Sequence, residues 1–367
     1  MALVFLFAVS LLAQTAPAAF RVTSYGADLS GKADSRSAFQ AAIDAARRAG
    51  GGRVEIAPGE YRLSGGLRIA EATDIELAGA GALLRLDRAS ASAEMPVIQV
   101  ERSRSITLRG FTLDANAYEQ RPKPGKAIQF RFSEDALVED VVIRRPYVGL
   151  SFRQGCARVT ARRVTVTDYQ EDGFDAGGDA DEVDGGSAHG ISFLRCVARD
   201  APRCPRDGNA FEIEDGAREV RIENALVESV AGNGIALRNH QSKQIVNRSA
   251  EVLVAGAKLT KIGGPYAIWG RSAPRALARV NSFHQMTIRD TEAEGVAAFW
   301  GPIRGLRIES SRLGALWVGF RDDSGEAREE DAVDAAALTS VRAGVMRLNV
   351  RHATIISPEQ FQISPAQ

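Results

Sequence analysis

The sequence predicts an all-β chain folded as a parallel β-helix, a solenoid of stacked coils closed at its N-terminal end by one helix. The first observation is that short segments with alternating apolar and polar residues recur along the chain, as strands with one buried face require. The second is their spacing, because central apolar residues such as Phe211 and Ile235 are separated by a length that fits one coil.

The repeats fit one domain over residues 20–367. Leucine-rich repeats and a β-sandwich are the alternatives, but the leucine pattern is absent and hairpin dipeptides are rare between the strands. The intervals 150–191 and 235–268 exceed one coil, so they predict protruding loops or an additional coil. Residues 321–336, rich in Asp and Glu, are expected to form a solvated loop or a surface helix.

Residues 1–19 have the pattern of a secretory signal peptide. Residues 3–13 form an apolar stretch too short to span a bilayer, and small residues that suit cleavage follow it. No other apolar run reaches membrane length, so we expect a secreted or periplasmic protein without a membrane span. Two states of the three cysteines are compatible with an oxidising compartment. Either Cys196 and Cys204 form a disulfide, or both remain buried thiols like Cys156.

Residues 20–65 are predicted to form an N-terminal cap region. Asp34 or Ser35 begins a helix whose apolar face contains Phe39 and Ile43, and three successive glycines end it. The order Tyr-Gly-Ala, Ala-Phe-Gln-Ala-Ala-Ile-Asp, Gly-Gly-Arg-Val-Glu-Ile and Pro-Gly-Glu-Tyr resembles the N-terminal region of the right-handed parallel β-helix proteins of the pectate lyase superfamily, in its rhamnogalacturonase and epimerase-like group. The resemblance implies a right-handed solenoid plugged by the helix, together with carbohydrate chemistry.

The charge balance argues against a nucleic-acid partner. The chain has 46 basic and 46 acidic residues and no net charge, whereas nucleic-acid binders carry a basic excess or stripe. Hydrophobic residues make up 45% of the 367 residues, enough for a large core.

Strand alternation predicts a polar groove on the outside of one sheet. If the segments around Ile128, Leu150, Ile191, Phe211 and Ile235 are equivalent strands, the residues between their apolar positions face outward together. The candidate catalytic residues are Asp172, Asp175, His189, Glu212, Glu214, Arg238 and His240. The candidate substrate contacts are Arg131, Arg153, Tyr169, Trp269 and Trp300. A row of polar groups with aromatic ends suits an extended polysaccharide or oligosaccharide, especially an anionic one.

An acidic run from Asp168 to Asp184 contains eight carboxylates and no Lys or Arg. Asp179, Asp181 and Asp184 supply hard oxygen ligands of the kind that calcium takes, although their spacing does not match an EF-hand. The sequence therefore predicts either a calcium site or a solvated loop.

The same region resembles motifs of two enzyme groups. Asp172-Gly-Phe-Asp175 and Ala188-His189-Gly190 are similar to the Asn-Thr-Asp-Gly-x-Asp and Gly-His-Gly phrases of polygalacturonase-like hydrolases, but the paired Asp-Asp between them is missing. The stretch also resembles the Tyr-Gly-Phe-Asp-Pro-His phrase of mannuronan C5-epimerases, with Asp172 in place of Tyr and Gly177 in place of His.

Three functions remain open at this point. The first is a lyase or epimerase-like enzyme in which calcium or Arg neutralises a uronate carboxylate and His189, Arg238 or His240 removes the C5 proton. The second is a hydrolase that uses two carboxylates among Asp172, Asp175, Glu212 and Glu214. The third is a non-catalytic protein that binds glycan or acts in cell-surface assembly.

Overall fold

A computed structural model describes residues 18–87, 95–119, 125–178, 186–239, 247–272, 281–322 and 326–356. Its strands pair in parallel with strands one coil away, and they stack into three faces. Within the described residues, no helix is long and apolar enough to cross a membrane.

Face 1 runs the whole length of the described chain. It consists of β1 (Ala19–Arg21), β3 (Gly52–Glu55), β6 (Ile75–Ala78), β9 (Thr107–Arg109), β12 (Leu137–Glu139), β15 (Ala157–Arg162), β18 (His189–Leu194), β21 (Arg218–Glu223), β24 (Asn247–Ala255), β27 (Asn281–Arg289), β29 (Arg304–Glu309), β31 (Val333–Thr339) and β33 (Val350–Ile356).

Face 2 follows face 1 in each coil. It consists of β2 (Ser30–Asp34), β4 (Gly59–Leu63), β7 (Ala82–Leu86), β10 (Thr112–Asp114), β13 (Val142–Arg144), β16 (Thr165–Thr167), β19 (Val197–Ala201), β22 (Leu226–Val230) and β25 (Lys258–Ile262).

Face 3 completes the coil and carries the residues of interest. It consists of β5 (Leu67–Ala70), β8 (Ile98–Glu101), β11 (Lys126–Arg131), β14 (Val148–Arg153), β17 (Phe174–Ala176), β20 (Asn209–Glu214), β23 (Asn233–Arg238) and β26 (Ile268–Arg271). Faces 2 and 3 then merge, because β28 (Glu292–Trp300) pairs with both β25 and β26. The merged sheet continues as β30 (Arg312–Val318) and β32 (Arg342–Leu348).

The core of face 3 is a column of apolar side chains in register. Ile128, Leu150, Phe174, Phe211 and Ile235 are successive partners along the solenoid, and all are fully buried. The rings of Phe174 and Phe211 stack with their centroids 4.6 Å apart. One-coil stacking buries an apolar face that no single coil could bury alone, so the predicted parallel β-helix is confirmed.

One predicted strand lies on a different face. The segment that contains Ile191 is β18, which pairs with β15 and β21 of face 1. Its expected place on face 3 is taken by the short strand β17, which pairs with β14 and β20. The interval 150–191 therefore contains the additional coil.

The helix α1 (Arg36–Arg48) packs at the N-terminal end against β1, β3 and β5. Phe39 and Ile43 are buried, and the ring of Phe39 meets Tyr61 edge to face at 5.1 Å. The carboxylate of Asp34 accepts a hydrogen bond from the Arg36 N–H at 3.0 Å, which satisfies one free donor of the first turn.

Short 3-10 helices occupy Val22–Tyr25, Ala117–Glu119 and Glu329–Asp331. The last lies in the acidic segment 321–336, where Arg321 forms an ion pair with Asp331 before β31 begins. Cys156, Cys196 and Cys204 are all buried free thiols, so the disulfide alternative is wrong.

Candidate functional site

Face 3 brings four carboxyl groups together on β17, β20 and the turn before β17. Asp175 is the register partner of Glu212, and Asp172 lies just before β17, opposite the start of β20. Asp172, Asp175, Glu212 and Glu214 are each no more than 5% exposed. Carboxylates are rarely buried in this number unless cations or hydrogen bonds compensate them.

Asp175 and Glu214 are compensated by cations. The carboxylate of Asp175 accepts hydrogen bonds from Ser151 Oγ at 2.8 Å and Arg153 Nη1 at 3.0 Å, and it pairs with Lys126 Nζ at 3.2 Å. Arg153 also forms an ion pair with Glu214. Burial lowers the pKa of Arg153. The charges of Asp175 and Glu214 raise it by more, so the pKa of the guanidinium is higher than usual. These contacts make a buried structural ion cluster.

Asp172 and Glu212 form a second pair, joined by the side chain of Asn209. Asn209 Nδ2 lies 3.3 Å from Asp172 Oδ1 and 3.3 Å from Glu212 Oε1, so the two oxygens are separated by at most twice that distance. The Asn209 N–H also donates to Asp172 Oδ1 at 2.9 Å. Two further hydrogen bonds fix the orientation of the Asn209 side-chain amide. Its Oδ1 accepts from Asn233 Nδ2 at 3.3 Å and from Trp269 Nε1 at 3.2 Å.

The proton of this pair stays on Asp172. Burial raises the pKa of Asp172 to about 7, and Asp175, Glu171 and Glu214 add to the rise. Burial also raises the pKa of Glu212 well above its usual range, Asp172 and Glu214 add to the rise, and Arg238 opposes it. Arg238 Nε lies 2.5 Å from Glu212 Oε1, while no cation among the described residues contacts Asp172. Two carboxyls this close do not both ionise freely, so the cation contact assigns the charge to Glu212.

Arg238 serves this site as an ion-pair partner. Burial lowers the pKa of Arg238, but the charges of Glu212 and Glu214 raise it by a larger amount, so the guanidinium keeps its proton. Its plane also lies over Trp269, with 5.7 Å between the guanidinium carbon and the ring centroid.

Asp172 and Glu212 open into a cleft of about 530 Å³. The cleft is lined by Tyr118, Tyr147, Gln170, Glu171, Asp172, Arg203, Pro205, Asp207, Gly208, Asn209, Glu212 and Arg238. Arg203 lies over the ring of Tyr118 at 4.1 Å on the rim. Burial raises the pKa of Tyr147, and its hydrogen bond to Glu171 raises it further, so this phenol keeps its proton at neutral pH.

Beyond Arg238, aromatic side chains extend the face. The rings of Trp269 and Trp300 stack with centroids 5.6 Å apart, and Tyr266 lies 5.7 Å from Trp300. Trp269 is only 7% exposed, while Trp300 is half-buried. Of the two predicted tryptophan contacts, Trp300 offers the more accessible ring, and Trp269 supports it and positions Asn209.

Other predicted residues lie elsewhere. His189 begins β18 on face 1, where it pairs with Ala157 and Arg218, and no contact among the described residues joins it to the Asp172–Glu212 pair. Its predicted place in the groove is therefore wrong, because β17 supplies the strand assigned to it. Tyr169 is fully buried, so its ring cannot touch a bound sugar. Arg131 remains on face 3, one coil before Arg153, with Nε 2.6 Å from Gln154 Oε1.

Four predicted residues lie outside the described chain: His240, Asp179, Asp181 and Asp184. Among the residues that are described, no group of three or more His, Cys, Asp or Glu side chains is arranged to hold a metal ion.

Gly177 explains why this chain departs from the epimerase phrase at the histidine position. A Cβ added at Gly177 would lie 2.8 Å from Glu214 Cγ and 3.1 Å from Arg153 Nη1. The ion pair therefore occupies the space that the histidine of the epimerase phrase would need. Together with Asp172 in place of tyrosine, this removes two of the groups that phrase supplies.

Sequence reasoning missed several residues of the site. Lys126, Ser151 and Asn209 contact the carboxyls directly, yet an isolated lysine, serine or asparagine carries no chemical motif. The strand β17 could have been found, because Gly173 precedes Phe174 in the same way as Gly149 precedes Leu150, a glycine followed by a large apolar residue.

No protein-family model matches the chain. Alginate lyase 7 of Azotobacter vinelandii is 55% identical over 47 residues, which are 13% of this chain and 6% of that protein. The mannuronan C5-epimerase AlgE6 of the same organism is 37% identical over 110 residues, which are 26% of this chain and 12% of that protein. The chain thus matches only a small part of the length of these relatives.

Solved structures match over nearly the whole chain. The A-module of AlgE6 has a TM-score of 0.70 at 19% identity, covering 95% of this chain and 96% of that one. An exopolygalacturonase of Thermotoga maritima has a TM-score of 0.67 at 12% identity, covering 95% and 94%. These likenesses confirm the right-handed parallel β-helix that the resemblance to the pectate lyase superfamily implied.

Proposed function

We propose that this protein is an exported enzyme that hydrolyses glycosidic bonds of a polysaccharide. The observation that carries the proposal is the Asp172–Glu212 pair, two buried carboxyls held by one amide at the wall of an open cleft. Export is supported by the signal-like pattern of residues 1–19. A polysaccharide substrate is supported by the names of the similar proteins, which are polysaccharide epimerases, a lyase and a hydrolase.

The two carboxyls differ in the way that glycoside hydrolysis requires. Asp172, with a pKa of about 7, holds a proton that it can give to the leaving glycosidic oxygen. Glu212, held in its charged form by Arg238, either attacks the anomeric carbon or takes a proton from water. Their hydrogen-bonded oxygens lie at most twice 3.3 Å apart, a limit that includes the spacing of a retaining pair and only just reaches that of an inverting pair.

Two of the three bases expected for an elimination are not supported by the geometry, and the third, His240, lies outside the described residues. Arg238 keeps its proton in the ion pair with Glu212, and His189 lies on face 1. The described cleft also contains no lysine or histidine.

One observation favours a second candidate, removal of the C5 proton from a uronate by a lyase or epimerase. The local sequence similarity is to an alginate lyase and to mannuronan C5-epimerases. In that reaction the protonated Asp172 would donate a hydrogen bond to the substrate carboxylate, which makes the C5 proton more acidic, and the Glu212 carboxylate would accept that proton.

The experiment is a product assay of the purified protein on polyuronates and neutral glucans. Hydrolysis gives new reducing ends without ultraviolet absorbance, elimination gives an unsaturated product that absorbs, and an epimerase or a glycan-binding protein gives neither. We expect the first result, with kcat/KM falling as pH rises through about 7, because Asp172 loses the proton that it must donate. Activity that rises above that pH would contradict the assignment of Asp172 as the acid.

A further inference from the structure

A second charged group lies on face 3 one coil beyond Arg238. Arg271 is the register partner of Arg238 on β26, and Trp300 is the partner of Arg271 on β28. Neighbouring strands are about 4.8 Å apart, so this row of side chains continues along the solenoid from Glu214, the register partner of Arg238, while Arg238 itself is the ion-pair partner of Glu212. Arg271 thus stands between a cleft residue and an accessible aromatic ring.

Arg271 lacks the compensation that its neighbours have. Among the described residues, its buried Nε has no hydrogen-bond partner, and Nη2 donates only to the Asn239 carbonyl at 3.5 Å. Arg238 pairs with Glu212 and Arg321 pairs with Asp331, but no carboxylate among the described residues forms an ion pair with Arg271. Burial lowers the pKa of Arg271, and Arg238 and Arg321 lower it further, while the carboxylate of Asp215 opposes them only in part.

Such an arrangement destabilises the free protein. A partly buried guanidinium without an ion-pair partner loses hydration, and two like charges close by add repulsion. An anion from outside would relieve both effects, and the planar fork of an arginine matches the two oxygens of a carboxylate. The adjacent Trp300, stacked on Trp269 with only 13° between the ring planes, presents a half-buried surface on which a pyranose ring can pack.

We propose that Arg271 binds the carboxylate of a uronate sugar in the subsite next to the Asp172–Glu212 pair, with Trp300 beside the sugar ring. The position of this subsite relative to the cleavage point rests on the proposed function, whereas the binding of the carboxylate does not. Arg271 is then a specificity-determining residue that favours acidic over neutral chains.

The test measures binding in a protein that does not turn over. In the Asp172→Asn background, oligomannuronate and oligogalacturonate trimers are titrated against intrinsic fluorescence, because two of the three tryptophans lie at this subsite. The fully methyl-esterified trimers serve as neutral counterparts. We expect at least one acidic trimer to bind more tightly than its ester, and Arg271→Gln to weaken that binding about tenfold or more, the scale of one charge-assisted hydrogen bond.

Two controls separate binding from structure. Arg312→Gln removes an exposed arginine of β30 on the same sheet and should leave the binding of the acidic trimer unchanged. Without ligand, Arg271→Gln should melt at the same temperature as its parent or higher, since it removes an uncompensated charge.

Three results would overturn the proposal: no preference for acidic over esterified trimers, equal weakening by Arg271→Gln for both, or a lowered melting temperature of that variant. A preference for sulfated trimers over uronate trimers would likewise contradict a carboxylate subsite. If charge-dependent binding through Arg271 is found but no polysaccharide is hydrolysed, the proposed function fails while this inference holds.

Discussion

Asp172→Asn should make the protein more stable at alkaline pH while removing its activity. Asp172 ionises with a pKa of 3.8 in the unfolded chain and about 7 in the fold. Between these values the folded state retains a proton that the unfolded state releases. Stability therefore falls as pH rises from about 4 to about 7, and the whole penalty is present above that range.

The size of the effect follows from the pKa difference. A difference of about three units, at about 1.4 kcal/mol each, is about 4 kcal/mol at pH 8. Asparagine carries no charge at any pH, and its Oδ1 can accept the Asn209 N–H as the aspartate does. At pH 8 the variant should exceed the wild type in free energy of unfolding by up to about 4 kcal/mol, and the gain should vanish near pH 4.

The assay is urea unfolding of both proteins at several pH values between those limits. Asp290→Asn is the matched control, because Asp290 is exposed and its neutralisation should leave the pH profile as in the wild type. If Asp172→Asn has the pH dependence of the wild type, or is less stable at pH 8, then Asp172 is not a carboxyl with a raised pKa and the acid role fails.

Four further changes have expected outcomes. Glu212→Gln should lower turnover at least about a hundredfold with an unchanged circular dichroism spectrum, the loss expected when a catalytic carboxylate is removed; near-normal turnover would exclude it. Arg153→Met should lower the free energy of unfolding by about 3–5 kcal/mol in urea, since Glu214 loses its nearest cation and Asp175 keeps only Lys126, and a neutral effect would contradict the cluster. Gly177→His should lower the melting temperature, because the added Cβ would lie 2.8 Å from Glu214 Cγ. An unchanged melting temperature would show that the side chains of Glu214 and Arg153 can move to accommodate the histidine. Calcium should raise the melting temperature if the acidic run 168–184 binds it, and an identical curve in chelator would leave a solvated loop.

The architecture was predictable because alternation and period are dictated by backbone geometry. Phe211 and Ile235 lie in the same buried column, one coil apart, as their spacing predicts. The error at Ile191 also has a physical cause. Strands of faces 1 and 3 bury their apolar residues in the same interior, so their alternation patterns are the same, and only the count of coils distinguishes them. The coil that the spacing analysis missed is the one that contains the short strand β17, which lies among acidic residues and glycines.

The site was predictable only in part. Glu212 was found because it faces outward on a predicted strand, and Asp175 because it belongs to the Asp-Gly-Phe-Asp phrase of the acidic run; the two are register partners. Their roles could not be predicted, since Lys126 approaches Asp175 from two coils away and Asn209 approaches Asp172 through space. Which carboxyl is paired and which retains a proton depends on those contacts and on burial.

The most direct test of the central claim is the mass of the products formed in water labelled with heavy oxygen. Hydrolysis by Asp172 and Glu212 predicts that each new reducing end gains one labelled oxygen, and that Asp172→Asn forms such products at least about a hundredfold more slowly. Unlabelled unsaturated products, or labelled products formed equally fast by Asp172→Asn, would contradict it.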